Sequence, residues 1–167
     1  MSGVRLVSLK SEVAQSIPGD GEYHLLRFPT VGEPYDRWGM HEATQPDGYT
    51  VSNWKTDDRS GLIWPNYRGF GQLYGLVYWE AGNYREVRSR FVRDPLGLTA
   101  GGYDSTATED DAATPGGQFR AKQWGMVVDP ATPLGLLVRH DAGSAVKVTL
   151  CEFKLAIHPL EEPTEGP

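Results

Sequence analysis

Four histidines, a single cysteine and two acidic loop runs are the side chains of this sequence with chemistry to offer, and their spacing limits what they can do. His24, His41, His140 and His158 lie far apart. They form neither the His-Glu-x-x-His pair of a helical zinc site nor the His-x-His…Glu…His set of cupin-like metal enzymes. They read as turn or surface histidines. Cys151 stands in the apolar run "VTLCEF" with no base beside it. A nucleophilic thiolate needs a polar, partly exposed setting, so a small buried residue is expected. No Gly-x-Ser-x-Gly elbow and no phosphate-cradling glycine loop occurs. The two carboxylates of a glycosidase are matched in space rather than along the chain, and no pair here points to one. The expectation is a protein that is not an enzyme and carries no organic cofactor.

Binding chemistry has more to work with. "TDD" and "TEDDA" offer Asp57, Asp58, Asp110 and Asp111 as candidate calcium ligands, because calcium collects carboxylate oxygens from loops. Neither run has EF-hand spacing, and a solvated acidic loop is the alternative. Tyr35, Trp38, Tyr49 and Trp54 fall in turn-rich sequence, where exposed rings can stack on sugars. The alternative there is that Trp54 and Trp64 plug the ends of a core. In "REVRSR", Arg88 and Arg90 suit either an anionic glycan or the carboxylates of a neighbouring subunit, arginine being the usual interface cation.

These side chains must be held by something, and the composition says what. A chain of 167 residues, 39% hydrophobic and 23% charged, suits one globular domain with its own core. Its 20 glycines and 12 prolines suit many short elements joined by tight turns. A formal charge of -6 argues against nucleic acid or an anionic membrane surface as the main partner. One cysteine allows no intrachain disulfide, consistent with folding in a reducing cytosol. The opening "MSGVRLVSLKSEVAQSIPG" lacks the basic end and apolar run of a signal peptide, and no stretch approaches the roughly 18 apolar residues of a membrane helix.

Period-two patterning dominates, and no helix-length window keeps a 3.6 period. Strands are expected at 4–9, 22–31, 72–81, 84–94, 119–129, 134–140 and 145–158, with a polar excursion over 95–118. In "QLYGLVYWEA" one face carries Leu73, Gly75, Val77 and Trp79 and the other Tyr74, Leu76 and Tyr78. "EAGNY" and "HDAGS" read as hairpin turns, the first with Gly82 at positive φ. In 145–158 the apolar parity changes between 150 and 151, which implies a β-bulge. The fold class that follows is all-β, an antiparallel sandwich of jelly-roll type with about eight or more strands. Residues 1–20 are expected as an arm that adds to a partner's sheet edge, 21–158 as the domain, and 159–167 as a flexible acidic tail. A strand apolar on both faces needs a cover for its second face, and another subunit supplies one economically.

The order of motifs then resembles a known family. "LLRFPTVGEPYDRWGMH" followed by "SGLIWPNYRGFGQLYGLVYWEAGNYREVRSRFV", and the closing "LGLLVRHDAGSAVKVTLCEFKLAI", are similar to the trimeric jelly roll of complement-type heads and tumour-necrosis-factor-like domains. They most resemble its versions in virion proteins of tailed phages, above all those of actinobacteria. The resemblance covers roughly 22–158. It implies a homotrimer with Tyr74, Leu76, Tyr78, Arg88 and Arg90 at the subunit interface. It also implies a non-enzymatic virion protein, either a tail or baseplate component in contact with the host or a capsid decoration protein. Its partners would be other virion proteins and a host surface glycan. A free carbohydrate-binding module of the same fold is the alternative.

Overall fold

The computed structural model describes residues 3–100, 104–112, 114 and 116–161. Nine strands run in order: β1 (Arg5–Ser11), β2 (Gln15–Ile17), β3 (His24–Leu25), β4 (Gly69–Trp79), β5 (Glu86–Arg93), β6 (Asp104–Ala112), β7 (Gln118–Val128), β8 (Leu134–His140) and β9 (Val146–Pro159). A one-turn 3-10 helix, Asp58–Gly61, interrupts the long stretch between β3 and β4. Two antiparallel sheets result. The first has the order β1-β9-β4-β7, with β2 also pairing with β9; the second is β3-β8-β5-β6. All-β jelly-roll architecture is what the period-two patterning led one to expect.

The core lies between the sheets. From the first sheet come Val7, Leu9, Leu73, Val77, Trp79, Phe153, Leu155 and Ile157; from the second come Val87, Phe91, Leu136 and Val138. Phe153 stacks on Phe91 at 6.0 Å between ring centres and tilts against Phe28 at 6.2 Å. Gly75 lies opposite Phe153 across the β4–β9 ladder. A Cβ there would stand 3.2 Å from Leu136 and 3.4 Å from Phe91, so the missing side chain makes room for the ring stack.

Several expectations change. β4 and β5 form no hairpin: β4 pairs with β9 and β7, whereas β5 pairs with β8 and β6. β8 and β9 likewise lie in different sheets. Each strand carries an apolar face that must reach the same core from its own side, and both connections cross the roughly 10 Å between sheets. Gly82 accordingly has no positive φ, while Gly143 in the second connection does, at 75°. The crossing at 80–85 is closed by Tyr84, whose hydroxyl donates to the Glu80 carbonyl at 2.6 Å. The 22–31 strand shrinks to His24–Leu25.

The polar excursion contains β6, a strand of "DSTATEDDA" sequence. Its aspartates and alanines disfavour strands locally, but they sit at a sheet edge, where charge protects against stray pairing. The bulge is present: Tyr78 pairs with Leu150 and Trp79 with Val148, leaving Thr149 as the extra residue. The stretch expected as a docking arm instead gives β1 and β2 to the subunit's own sheet, with Val7 and Leu9 fully buried. Residues 162–167 of the expected tail lie outside the described residues.

Candidate functional site

The two outer faces of the sandwich differ. On the β3-β8-β5-β6 sheet, Leu25, Val92 and Leu137 point away from the main core. They are covered by Leu62 and Trp64 of the loop before β4, with Tyr23, Leu96 and Leu98 packed around them. The chain seals this face itself. Trp64 therefore packs on the outer face of a sheet rather than plugging an end of the core.

The outer face of the other sheet has no such cover among the described residues. The register places its side chains in rows: Tyr78 with Phe119 and Leu150, Leu76 with Ala121 and Glu152, Tyr74 with Gln123 and Lys154, and Phe70 with Val127 and His158. Tyr78 and Phe119 touch, their ring centres 4.5 Å apart. Phe119 remains 63% exposed, and Phe70 and Val127 are 40% and 45% exposed. Charge enters the middle of this surface at Glu152 and Lys154, 3.9 Å apart, with Lys10 opposite Glu152 on β1. A shallow depression of about 450 Å³ opens over Tyr74, Leu76 and Ala121. Tyr74, Leu76 and Tyr78 were legible from strand parity. Phe70, Phe119 and Val127 were not, because the β4–β7 pairing that aligns them is invisible along the chain.

Arg88 and Arg90 do not join that face. Both lie on the outer side of the other sheet. Arg88 Nε donates to Glu86 at 2.9 Å and pairs with Asp110 at 3.1 Å. Arg90 lies over the Tyr23 ring, 3.5 Å from its centre.

At the β6/β7 edge the sandwich is open and charged. Asp111 faces Arg120 at 3.6 Å, and Lys122 Nζ donates to the Ser89 carbonyl at 3.0 Å. Burial pushes the Lys122 ammonium below its ordinary range and the Glu109 carboxyl above its own, Asp111 adding to the latter. Trp124, on the inward side of β7, is nevertheless 47% exposed among the described residues.

The four candidate acidic residues are dispersed. Asp57 caps the 3-10 helix and accepts from Tyr49 Oη at 2.7 Å, and Asp58 pairs with Arg27 at 2.8 Å. Asp110 and Asp111 lie on β6, held by Arg88 and Arg120. Among the described residues no group of three or more His, Cys, Asp or Glu side chains converges on a point.

The loop aromatics fall into two groups. Trp38 and Tyr67 hold the Arg5 guanidinium between them, at 4.7 and 4.3 Å, with Tyr35 bridged to Ser8 alongside. Tyr49 and Trp54 flank the 3-10 helix, and Arg59 stacks on Tyr49 at 4.3 Å. Arginines thus already occupy faces of Trp38 and Tyr49.

Two of the histidines expected in turns or at the surface are buried. His41 bridges Glu33 and the Ser60 carbonyl, at 3.1 and 2.6 Å. Burial pushes the Glu33 carboxyl up, but the hydrogen bond with His41, one with its own backbone and the attraction of His41 together hold it below the usual range. His140 donates from Nε2 to the Ile17 carbonyl at 2.8 Å and accepts at Nδ1 from Ala142, packed beside Trp79. Such pairing makes both rings structural. Cys151 is buried, and burial pushes its thiol up to about 12. Native protein should therefore leave Ellman's reagent unreacted at pH 8 over minutes and yield its one thiol only after guanidinium is added; rapid native reaction would contradict this burial.

No family model matches the chain, and no curated protein matches it. Solved structures share its fold. Murine APRIL at pH 5.0 aligns with a TM-score of 0.57 at 8% identity, and at pH 8.5 with 0.56 at 7%, each alignment covering 93% of this chain and 100% of that one. Eiger TNF from S. frugiperda aligns over 98% of this chain and 99% of its own at 11% identity, with a TM-score of 0.49. At these identities the likeness to APRIL shows the fold alone, an antiparallel jelly roll.

Proposed function

We propose that the protein is a non-enzymatic homotrimer of jelly-roll subunits, displayed as a structural protein on the surface of a tailed-phage particle. One observation carries the self-association: the chain covers one outer face of its sandwich with its own loops, while no described residue covers the other, whose aromatic surface centres on the half-buried Tyr74, Leu76 and Tyr78. A contiguous apolar face of this kind marks an interface, and aromatic side chains suit one. The open β6/β7 edge with Trp124 is a second, unlike surface on the same subunit. Two unlike surfaces favour a head-to-tail contact, which closes into a ring when the rotation allows. Three subunits, and the virion, are what the sequence resemblance implies. A tail or baseplate host-contact protein and a capsid decoration protein are the two places such a trimer fits.

Light scattering on the purified protein tests the trimer. A mass of three 18.4 kDa chains is expected. A stable single chain would remove the trimer and make a free carbohydrate-binding module the better reading. Antibody labelling of particles in the electron microscope would then separate head from tail, and absence from both would remove the virion.

A further inference from the structure

A cleft of about 350 Å³ opens on the side of the sandwich where β2 and β3, the edge strands of the two sheets, diverge. Its walls come from the β2 segment on one side and from residues 54–58 on the other. The parts are held by a connected set of hydrogen bonds. The Gln15 amide brackets the Arg27 backbone, accepting from its N–H at 2.9 Å and donating to its carbonyl at 2.8 Å. The Arg27 guanidinium then reaches across, donating to Asp58 at 3.0 Å and to the Lys55 carbonyl at 2.9 Å. On the far side the Trp54 carbonyl accepts from Ser60 at 2.7 Å. The loop that carries Trp54 and Lys55 is thus anchored at two successive carbonyls, so little ordering cost remains for a ligand.

We propose that this cleft is a carbohydrate subsite that takes one neutral pyranose ring of a surface polysaccharide, with the ring's C–H face on Trp54. The chemistry excludes the other classes. Asp58 is the only carboxylate among the lining residues, too few for a metal ion. Arg27 is neutralised by Asp58, which leaves Lys55 as a single cation and no cluster for a polyanion. The lining is too polar for an apolar ligand. A pyranose matches what is left. It offers one apolar face and a rim of hydroxyls that both donate and accept. Among the described residues no hydrogen bond is made by Asp58 Oδ2, Lys55 Nζ or Ser16 Oγ, an acceptor, a donor and a group that does both. The cavity lies at the small end of ligand sites, the size for a single ring. Trp54 differs from Trp38 and Tyr49, the other rings proposed for sugar contact, in how closely a cation holds it: the Lys55 ammonium lies 5.9 Å from its centre, whereas arginines stand 4.7 and 4.3 Å from the other two.

This deepens the host-contact version of the proposed function. Light scattering reads the trimer and sugar binding reads the cleft, so either can fail alone. The test is saturation-transfer NMR, with titration, on the full chain using methyl glycosides of glucose, galactose, mannose and rhamnose, with sodium glucuronate as the anionic counterpart. Binding of at least one neutral glycoside is expected, and Trp54→Ala should weaken it about tenfold. Because Trp54 is half-buried, a second variant guards against misfolding. Ser16→Trp fills the cleft from an exposed wall, and should abolish binding with an unchanged melting temperature. Silence across the neutral panel would overturn the proposal. So would tighter binding of glucuronate than of every neutral sugar, or binding lost in Trp38→Ala but kept in Trp54→Ala.

Discussion

Tyr78→Asp should turn a three-chain particle into single chains in light scattering, while the subunit's near-ultraviolet circular dichroism stays native. Tyr78 points away from the core, and its nearest ring is Phe119 on the same outer face. Nothing in the main core depends on it. In a trimer that covers this face, however, an aspartate would be an unpaired charge taken out of water, which costs several kcal/mol per copy. At about 1.4 kcal/mol per tenfold, association would weaken by roughly a thousandfold or more. Leu76→Asp, one row along, should act in the same way. Arg88→Ala is the informative contrast, because it alters the opposite outer face and breaks only surface ion pairs, which solvent screens. A trimer that survives Tyr78→Asp but dissociates with Arg88→Ala would mean that the chain-covered side is the interface.

Phe153→Ala is the core counterpart, expected to cost about 3–5 kcal/mol. Phe153 is fully buried, stacks on Phe91 and leans on Phe28. It therefore ties β9 of one sheet to β5 of the other. Removing the ring leaves a cavity opposite Gly75, which has no side chain of its own to move into it. For a domain of this size the loss corresponds to a fall in melting temperature of roughly 10 °C, read by thermal circular dichroism at fixed protein concentration. Phe153→Leu keeps most of the volume and should cost less than about 1.5 kcal/mol. If the alanine variant cost no more than the leucine variant, the ring stack would not be what joins the sheets.

Parity carried much of the fold and part of the candidate surface. The two faces of β4 were readable because strand side chains alternate strictly, and Tyr74, Leu76 and Tyr78 fall where that rule puts them. The bulge in β9 was readable for the same reason, since a parity slip has few other causes. The composition of β6 hid it: "TEDDA" looks like a loop until Arg88 and Arg120 stand beside its aspartates. His41 and His140 were misjudged because their partners, the Ser60 and Ile17 carbonyls, lie 19 and 123 residues away and are backbone atoms with no sequence signal.

Strand parity, turn residues and charge, all properties read over a few neighbouring positions, were enough to determine an all-β sandwich with one strand apolar on both faces and no evident catalytic set. They could not decide which strands pair. A short Gly-Asn or Ala-Gly connection serves a hairpin and a sheet-to-sheet crossing equally well, and the choice depends on where each apolar face finds the core. Only the tertiary structure shows β4 and β5 in opposite sheets, which sends Arg88 and Arg90 to one outer face and the Tyr74–Leu76–Tyr78 row to the other. It alone shows that Leu62 and Trp64 cover one face while no described residue covers the other, because that difference rests on contacts between residues far apart in the chain.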